Sequence, residues 1–300
     1  MKLNVLNNNN DFFYIICPYG IGDFIFSLSI ATKFFNNKNL CFIVKDYLKD
    51  IKLNVTHKYN ILSISREEME ALIKIIIDSG NYIGENYFYS HYKKKDHCYL
   101  DTKTKYFNTR YLLDIYNLPE NYIYDLPTID SISNAEKIEL DRYMNKINNP
   151  AIVLIPHSKT VNMIPNAIWE IFVDYLKSKN YTVFTNISKD EKAIVNTIPL
   201  SLTLPQLNYI SDKITAFIGI RTGLMDYLAL GKAKIIAVSY IHYWSFELEH
   251  IFPKANTDTV YLCNKNNTEY LEQYSNYVES EKISFSYIEL LNKIIKLINN

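Results

Sequence analysis

Residues 217–239 read FIGIRTGLMDYLALGKAKIIAVS. An apolar run ends at Ile220, a polar turn occupies 221–223, and a segment with helical spacing leads to a second apolar run, IIAVS. This pattern predicts a strand, a helix and another strand. Because such a unit returns the chain in the same direction, the stretch indicates a parallel sheet covered by helices, which is an α/β fold.

The same rhythm runs through the rest of the second half of the chain. Apolar runs at 151–155 and 181–185 predict two further strands. Helical spacing predicts helices at NAIWEIFVDYLKSK (166–179), KDEKAIVN (189–196) and LPQLNYI (204–210). Thr203 is the expected N-cap of the last of these, with Pro205 in its first turn. Alternation of this kind predicts a doubly wound sheet.

The first half opens with a similar unit. FFYIIC (12–17) predicts a strand, PYGIG is a glycine turn, and the spacing of apolar residues after it predicts a helix. Apolar runs at 40–44 and 61–65 predict two more parallel strands. The pattern weakens between 80 and 127, where we expect one helix at 109–118.

The length of 300 residues suits two lobes of ordinary size. A polar helical stretch closing with Asn-Asn-Pro precedes the strand at 151–155. We therefore expect an N-terminal Rossmann-like domain at 1–147 and a C-terminal one at 148–300, facing a ligand cleft. Residues 285–298 predict a last helix, and the sequence leaves open whether it packs on the first or the second domain.

The overall composition excludes several classes of protein. Thirty-two basic residues balance thirty-two acidic ones, whereas proteins that bind nucleic acid usually carry a basic excess. The four cysteines are widely spaced, Cys17 and Cys41 fall in apolar runs where buried thiols are expected, and no metal-ligand spacing occurs. No apolar run reaches the length of a membrane span, and the first residues do not resemble a signal peptide. The expected compartment is the cytoplasm, with peripheral contact at the inner membrane surface left open.

Gly20 and Gly22 follow the first predicted strand, and Asp23 stands in the first turn of the predicted helix. Open α/β sheets bind ligands at this place, so Asp23 is a candidate general base. An acidic residue that only complements the helix dipole is an equally good interpretation. The Gly20–Gly22 pair with Asp46 downstream also suits a dinucleotide fingerprint that lacks its third glycine.

Three loops of the second half carry candidate ligand contacts. Each follows a predicted strand, and the candidates are His157, Ser158 and Lys159; Thr185 and Asn186; and Arg221, Thr222, Gly223 and Asp226. Imidazole, hydroxyl, ammonium and guanidinium groups are suited to phosphate and sugar oxygens. Ordinary polar loops, and an Asp226 that only stabilises its helix, are the alternatives.

These motifs resemble the GT-B glycosyltransferases, and most closely the lipopolysaccharide heptosyltransferases of glycosyltransferase family 9. PYGIGDFIFSLSIATKF is similar to the family's acceptor-side element, and the resemblance implies that Asp23 is the base. LIPHSKTVNMIPNAIWEIFVDYL resembles the donor-side loop and its helix with Trp169. The family's Asp-Ser/Thr-Gly-x-x-His turn has Arg221 and Asp226 here in place of Asp and His, which indicates a divergent branch with a different sugar nucleotide.

The resemblance implies an inverting, metal-independent transferase that needs no cofactor. It would move a sugar from a nucleotide-sugar donor to a glycan or glycolipid acceptor in bacterial surface polysaccharide synthesis, either lipopolysaccharide or capsule. The aromatic residues Tyr87, Phe88, Tyr89 and Tyr92 are expected either to stack on the acceptor or to belong to the core. The rival functions are an NAD(P)-dependent oxidoreductase, a sugar-nucleotide epimerase and a noncatalytic sugar-nucleotide or glycan-binding protein.

Overall fold

The structure is a computed structural model. It describes residues 11–18, 20–49, 51, 53–80, 84, 87–90, 125–145, 147, 149–158, 164–232, 234–239, 256–261 and 281–299. The helix expected at 109–118 lies outside these residues, as do Lys159 and Tyr92. The chain forms two compact units, Met1–Asp130 and Ser131–Asn300.

The first unit contains a parallel sheet. Its strands and helices are β1 (Phe13–Ile16), α1 (Ile21–Phe34), β2 (Leu40–Lys45), β3 (Leu53–Asn54), β4 (Tyr59–Ile64), α2 (Arg66–Ser79), β5 (Tyr87–Tyr89) and β6 (Thr128–Ile129). The main sheet has the order β4-β2-β1-β5 with all pairs parallel, and β3 pairs antiparallel with β6. The chain therefore reverses its winding direction between β1 and β5, which makes the end of β1 a topological switch point.

Burial explains why the first strands and helix are so apolar. The residues of β1 are buried, and ten residues of α1 are buried as well, including Phe24 and Leu28. Phe24 packs edge-on against Phe42 of β2 with the ring centroids 5.7 Å apart. Phe88 and Tyr89 of β5 are only 3% and 2% exposed, so these two aromatic rings belong to the core and do not stack on a ligand.

The second unit contains the larger sheet. Its elements are α3 (Asn134–Met144), β7 (Ala151–Ile155), α4 (Asn166–Ser178), β8 (Thr182–Asn186), β9 (Ile198–Leu200), α5 (Leu204–Tyr209), β10 (Ala216–Ile220), α6 (Gly223–Leu228), β11 (Ile235–Ser239), β12 (Thr257–Tyr261) and α7 (Glu281–Asn299). The strand order β12-β11-β10-β7-β8-β9 is entirely parallel. This is the doubly wound order of dinucleotide-binding sheets, with its switch point between β7 and β10.

The last helix packs within the second unit. Tyr287, Leu290 and Ile294 of α7 join the buried cluster that contains Trp169 and the central strands. Lys234 Nζ donates to the carbonyl oxygen of Leu297 at 2.6 Å, which fixes the end of the helix. None of the helices in the described ranges combines the length and the apolar character needed to cross a bilayer.

Helix α3 lies before the domain boundary expected from the sequence, yet it belongs to the second unit. Gln206 Nε2 of α5 donates to Glu136 Oε1 at 3.1 Å. Tyr209 OH and Lys213 Nζ both donate to Asp141 Oδ1, at 2.8 and 2.6 Å. These bonds join the polar face of α3 to the segment that precedes β10.

The helix predicted at 189–196 is wrong, because these residues form turns and irregular backbone. The backbone groups find side-chain partners in place of a helical ladder. Ser188 N–H donates to Glu191 Oε2 at 2.7 Å, and Ile194 N–H donates to Thr185 Oγ1 at 3.2 Å. Asn196 takes a left-handed conformation with φ of 64°, which a helix does not allow.

Gly219 of β10 pairs with Ile155 of β7. A Cβ atom there would clash with the backbone carbonyl oxygen of Ile155. Gly219→Ala should therefore lower the free energy of unfolding by about 1–3 kcal/mol, as overpacked cores do. Urea denaturation followed by circular dichroism measures the change.

Gly20→Ala is the matched control. Its φ of −82° suits any residue, and a Cβ atom would meet nothing closer than Asp23 Oδ2 at 4.0 Å. We expect this variant to unfold within about 0.5 kcal/mol of the wild type. Equal losses in the two variants would contradict the close approach of the two strands.

Candidate active site

Asp23 lies at the switch point of the first sheet. Gly20 caps α1 with an extended backbone, and its N–H donates to Asp23 Oδ2 at 3.3 Å. The carboxylate is half-buried at the helix N-terminus, where it also complements the helix dipole. The bond holds the carboxylate beside the end of β1 and is compatible with either interpretation of Asp23.

The two glycines of this turn do not depend on a left-handed backbone. Among the described residues, Gly80 is the glycine with positive φ, whereas Gly20 is extended and Gly22 is part of α1. A small residue at these positions instead leaves space beside the backbone. Their expected role next to a ligand stays a prediction.

The ends of β1 and β5 are joined by a buried polar contact. Ser90 Oγ donates to the carbonyl oxygen of Ile16 at 2.8 Å and to Cys17 Sγ at 3.4 Å. Burial raises the pKa of the Cys17 thiol to about 12. Cys17 is therefore an uncharged, buried thiol at neutral pH, as the sequence predicts, and it is not poised as a nucleophile.

Two residues that follow β2 lie at the same edge of the first sheet. Asp46 is exposed in a short 3₁₀ turn, Asp46–Leu48. Tyr47 is 61% exposed, and partial burial of its hydroxyl end together with the charge of Asp23 raises the pKa of that hydroxyl. Sequence reasoning missed Tyr47, although its position directly after a predicted strand was a usable signal.

The second sheet brings its candidate residues to one edge. His157 and Ser158 follow β7, Asn186 ends β8, and Arg221 follows β10. Because these three strands are parallel neighbours, their carboxyl ends meet at the same edge, on both sides of the switch point. The three loops therefore lie at one edge of the sheet, and their contacts with a donor stay predictions.

Two of the predicted site residues, His157 and Thr185, hold the loop between β8 and β9. His157 Nε2 donates to the carbonyl oxygen of Lys192 at 2.9 Å. Thr185 is fully buried, and its hydroxyl accepts the N–H of Ile194 and bonds to Thr197 Oγ1 at 2.6 Å. Thr185 therefore positions the loop through contacts inside the unit, and a direct contact with a donor stays a prediction.

Arg221 and Asp226 form an ion pair. Arg221 Nη1 donates to Asp226 Oδ2 at 3.1 Å, and Nη2 lies 2.8 Å from Oδ1. The side chains are only 12% and 6% exposed. Burial raises the pKa of Asp226, and the guanidinium opposes this effect. The pair joins the turn after β10 to the first turn of α6 and largely cancels its own charge.

A pocket of about 500 Å³ lies elsewhere in the first unit. Its walls include Thr32 and Lys33 near the end of α1, and His57 just before β4. It is therefore at the opposite edge of the sheet from Asp23, and none of the predicted site residues lines it. Within the described ranges, no group of three His, Cys, Asp or Glu residues is placed to hold a metal ion.

The sequence matches no protein-family model and no curated protein. Solved structures do match. A glycosyl transferase family 9 structure from Veillonella parvula has a TM-score of 0.61 at 11% identity, over 95% of this chain and 96% of that chain. The ADP-heptose lipopolysaccharide heptosyltransferase II of Escherichia coli has a TM-score of 0.50 at 10% identity, over 82% and 89%. The chain therefore shares its fold, GT-B, with these family 9 glycosyltransferase structures, at a sequence identity of 10–11%.

Proposed function

We propose that this protein is a glycosyltransferase that moves a sugar from a nucleotide-sugar donor to a glycan or glycolipid acceptor. The observation that carries the proposal is the second sheet, where polar side chains flank the switch point of a doubly wound sheet. The fold shared with a family 9 structure over nearly the whole chain supports it. The proposed pathway is bacterial surface polysaccharide synthesis, on the inner face of the membrane.

The donor is assigned to the carboxyl edge of the second sheet. We assign Lys159 and the backbone amides of Thr222 and Gly223 to the diphosphate, and Ser158 and Asn186 to sugar or nucleotide hydroxyls. Arg221 braces the turn from which these amides project, because Asp226 already neutralises its charge. No metal or cofactor enters this scheme, since cationic and amide groups offset the charge of the leaving diphosphate.

Asp23 is the proposed base on the first unit. Its carboxylate takes the proton of the acceptor hydroxyl while the oxygen forms a bond to the anomeric carbon. The bond from that carbon to the diphosphate breaks, and the diphosphate leaves with the electron pair. A single direct displacement inverts the anomeric configuration.

The donor sugar is proposed to differ from that of the heptosyltransferases. The resemblance places Asp and His where this chain has Arg221 and Asp226. The structure shows that these two side chains contact each other, so the two departures form one paired change. Here the first residue of the pair is the cation and the second is the acid, which reverses the order of Asp and His. This reversal beside the proposed donor site favours a different donor sugar.

An oxidoreductase remains the second candidate because of one observation. Asp46 is exposed directly after β2, where a dinucleotide-binding acid meets the ribose. Against it, the Gly20 N–H is bonded to the Asp23 carboxylate, which places a negative charge where a pyrophosphate would bind. The first unit therefore favours a neutral hydroxyl over a dinucleotide.

Asp23 and Asp46 distinguish the two candidate functions, because Asp23 is the proposed base of the transferase and Asp46 would bind the ribose in an oxidoreductase. Asp23→Asn should lower the rate of nucleoside diphosphate release from the sugar nucleotide by about 10²–10⁴-fold, since it removes the base. Donor affinity should stay unchanged in a calorimetric titration. Asp46→Asn is the matched control at the same sheet edge and should keep full activity. Full activity in Asp23→Asn would remove the base assignment.

The donor class is testable by thermal shift. The ligands are UDP, GDP and ADP, with the monophosphate CMP as a comparison. We expect one of the three nucleoside diphosphates to raise the melting temperature, because it binds the native state alone. NAD should give no shift. A shift with NAD and none with the other nucleotides would overturn the proposal in favour of the oxidoreductase.

The ion pair is testable by a double-mutant cycle. Removing one partner, as in Arg221→Met or Asp226→Leu, should lower the free energy of unfolding by about 3–5 kcal/mol, since it leaves a buried charge without its counterion. The double variant should be more stable than either single variant. Additive losses in urea denaturation would show that the two side chains act independently.

A further inference from the structure

Tyr47 holds an aromatic ring at the acceptor edge of the first sheet. The ring follows β2 in the turn Asp46–Leu48, and the residue is 61% exposed. Leu48 is fully buried, and Lys49 N–H donates to the carbonyl oxygen of Asp46 at 3.2 Å. The turn is therefore anchored on both sides of an exposed ring.

Tyr47 and Asp23 follow neighbouring strands of the first sheet. Strands β1 and β2 are adjacent, with Ile16 paired to Ile43, so the segments that follow them emerge side by side. Burial, and to a smaller extent the negative charge of Asp23, raises the pKa of the Tyr47 hydroxyl, which agrees with this placement. The exposed ring and the candidate base thus share one edge.

The other aromatic rings of this sheet are placed differently. Tyr14, Phe88 and Tyr89 are at most 3% exposed. Phe34 is 42% exposed but ends α1, at the opposite edge from Asp23. Among the described residues of the first unit, Tyr47 is therefore the exposed ring beside the candidate base.

We propose that the ring of Tyr47 is the platform on which an acceptor sugar packs, with the reacting hydroxyl of that sugar turned toward Asp23. The proposal rests on the proposed glycosyltransferase function and names its acceptor subsite. A pyranose presents an apolar face of C–H groups and a rim of hydroxyls, and an aromatic ring beside a carboxylate fits both. An acceptor with such a C–H face, as in a β-glucoside or β-galactoside, is the expected class.

Saturation-transfer difference NMR with methyl β-D-glucoside and methyl β-D-galactoside tests the subsite. Ring protons of at least one glycoside should receive saturation from the wild type and from Tyr47→Phe, which keeps the ring. The signal should fall to background in Tyr47→Ala. Phe34→Ala, an exposed aromatic residue at the other edge of the same sheet, should keep it.

The proposal is overturned by a signal in Tyr47→Ala equal to that of the wild type, or by no signal from either glycoside in the wild type. Loss of the signal in Tyr47→Phe would also overturn it, because the hydroxyl and not the ring would then make the contact. The nucleotide thermal shift is measured on the same variants. If no nucleotide shifts the melting temperature of the wild type, the proposed function is contradicted. If Tyr47→Ala keeps the nucleotide shift but loses the glycoside signal, the loss is specific to the acceptor subsite.

Discussion

The parallel pairing of β7 with β10 is the contact on which the candidate donor site depends. These strands are neighbours although two strands and two helices separate them along the chain. The pairing brings the turn at Arg221 beside the loop at His157, and it is close enough to require Gly219 opposite Ile155. Without this crossover the polar residues would follow strands far apart along the edge of the sheet, and they could not contribute to one site.

The Arg221–Asp226 pair sets the electrostatics of that edge. A buried guanidinium without a partner would be costly to desolvate, and a buried carboxylate would be protonated. Together they form a compact unit that fixes the turn after β10 while adding little net charge. In the proposed donor site, phosphate binding would then depend on backbone amides and on cations outside the pair. The ion pair therefore changes the role expected of Arg221. Its side chain positions the turn after β10 and does not act as a free cation.

Local patterns in the sequence were sufficient to predict the fold class, but not the contacts that decide the site. The apolar runs predict β1, β7 and β10 well, since buried parallel strands must be apolar on both faces. The 189–196 segment has helical spacing, yet Thr185 accepts the N–H of Ile194 in this segment, and only the folded sheet brings Thr185 near Ile194. Similarly, Tyr47 is exposed while Leu48 beside it is fully buried, a difference that no local pattern reveals.

The two sheets differ in the charge of the side chains at their switch points. At the switch point of the first unit, a carboxylate already accepts the N–H of Gly20, so an anion would meet repulsion there while a neutral hydroxyl would find a proton acceptor. At the switch point of the second unit, Arg221 neutralises the acidic side chain of Asp226, and the other described candidates at this edge carry imidazole, hydroxyl and amide groups. An oxidoreductase would need the first sheet to hold a pyrophosphate. A transferase needs the reverse, a neutral nucleophile on one sheet and a phosphorylated donor on the other, and the charges at the two edges favour that division.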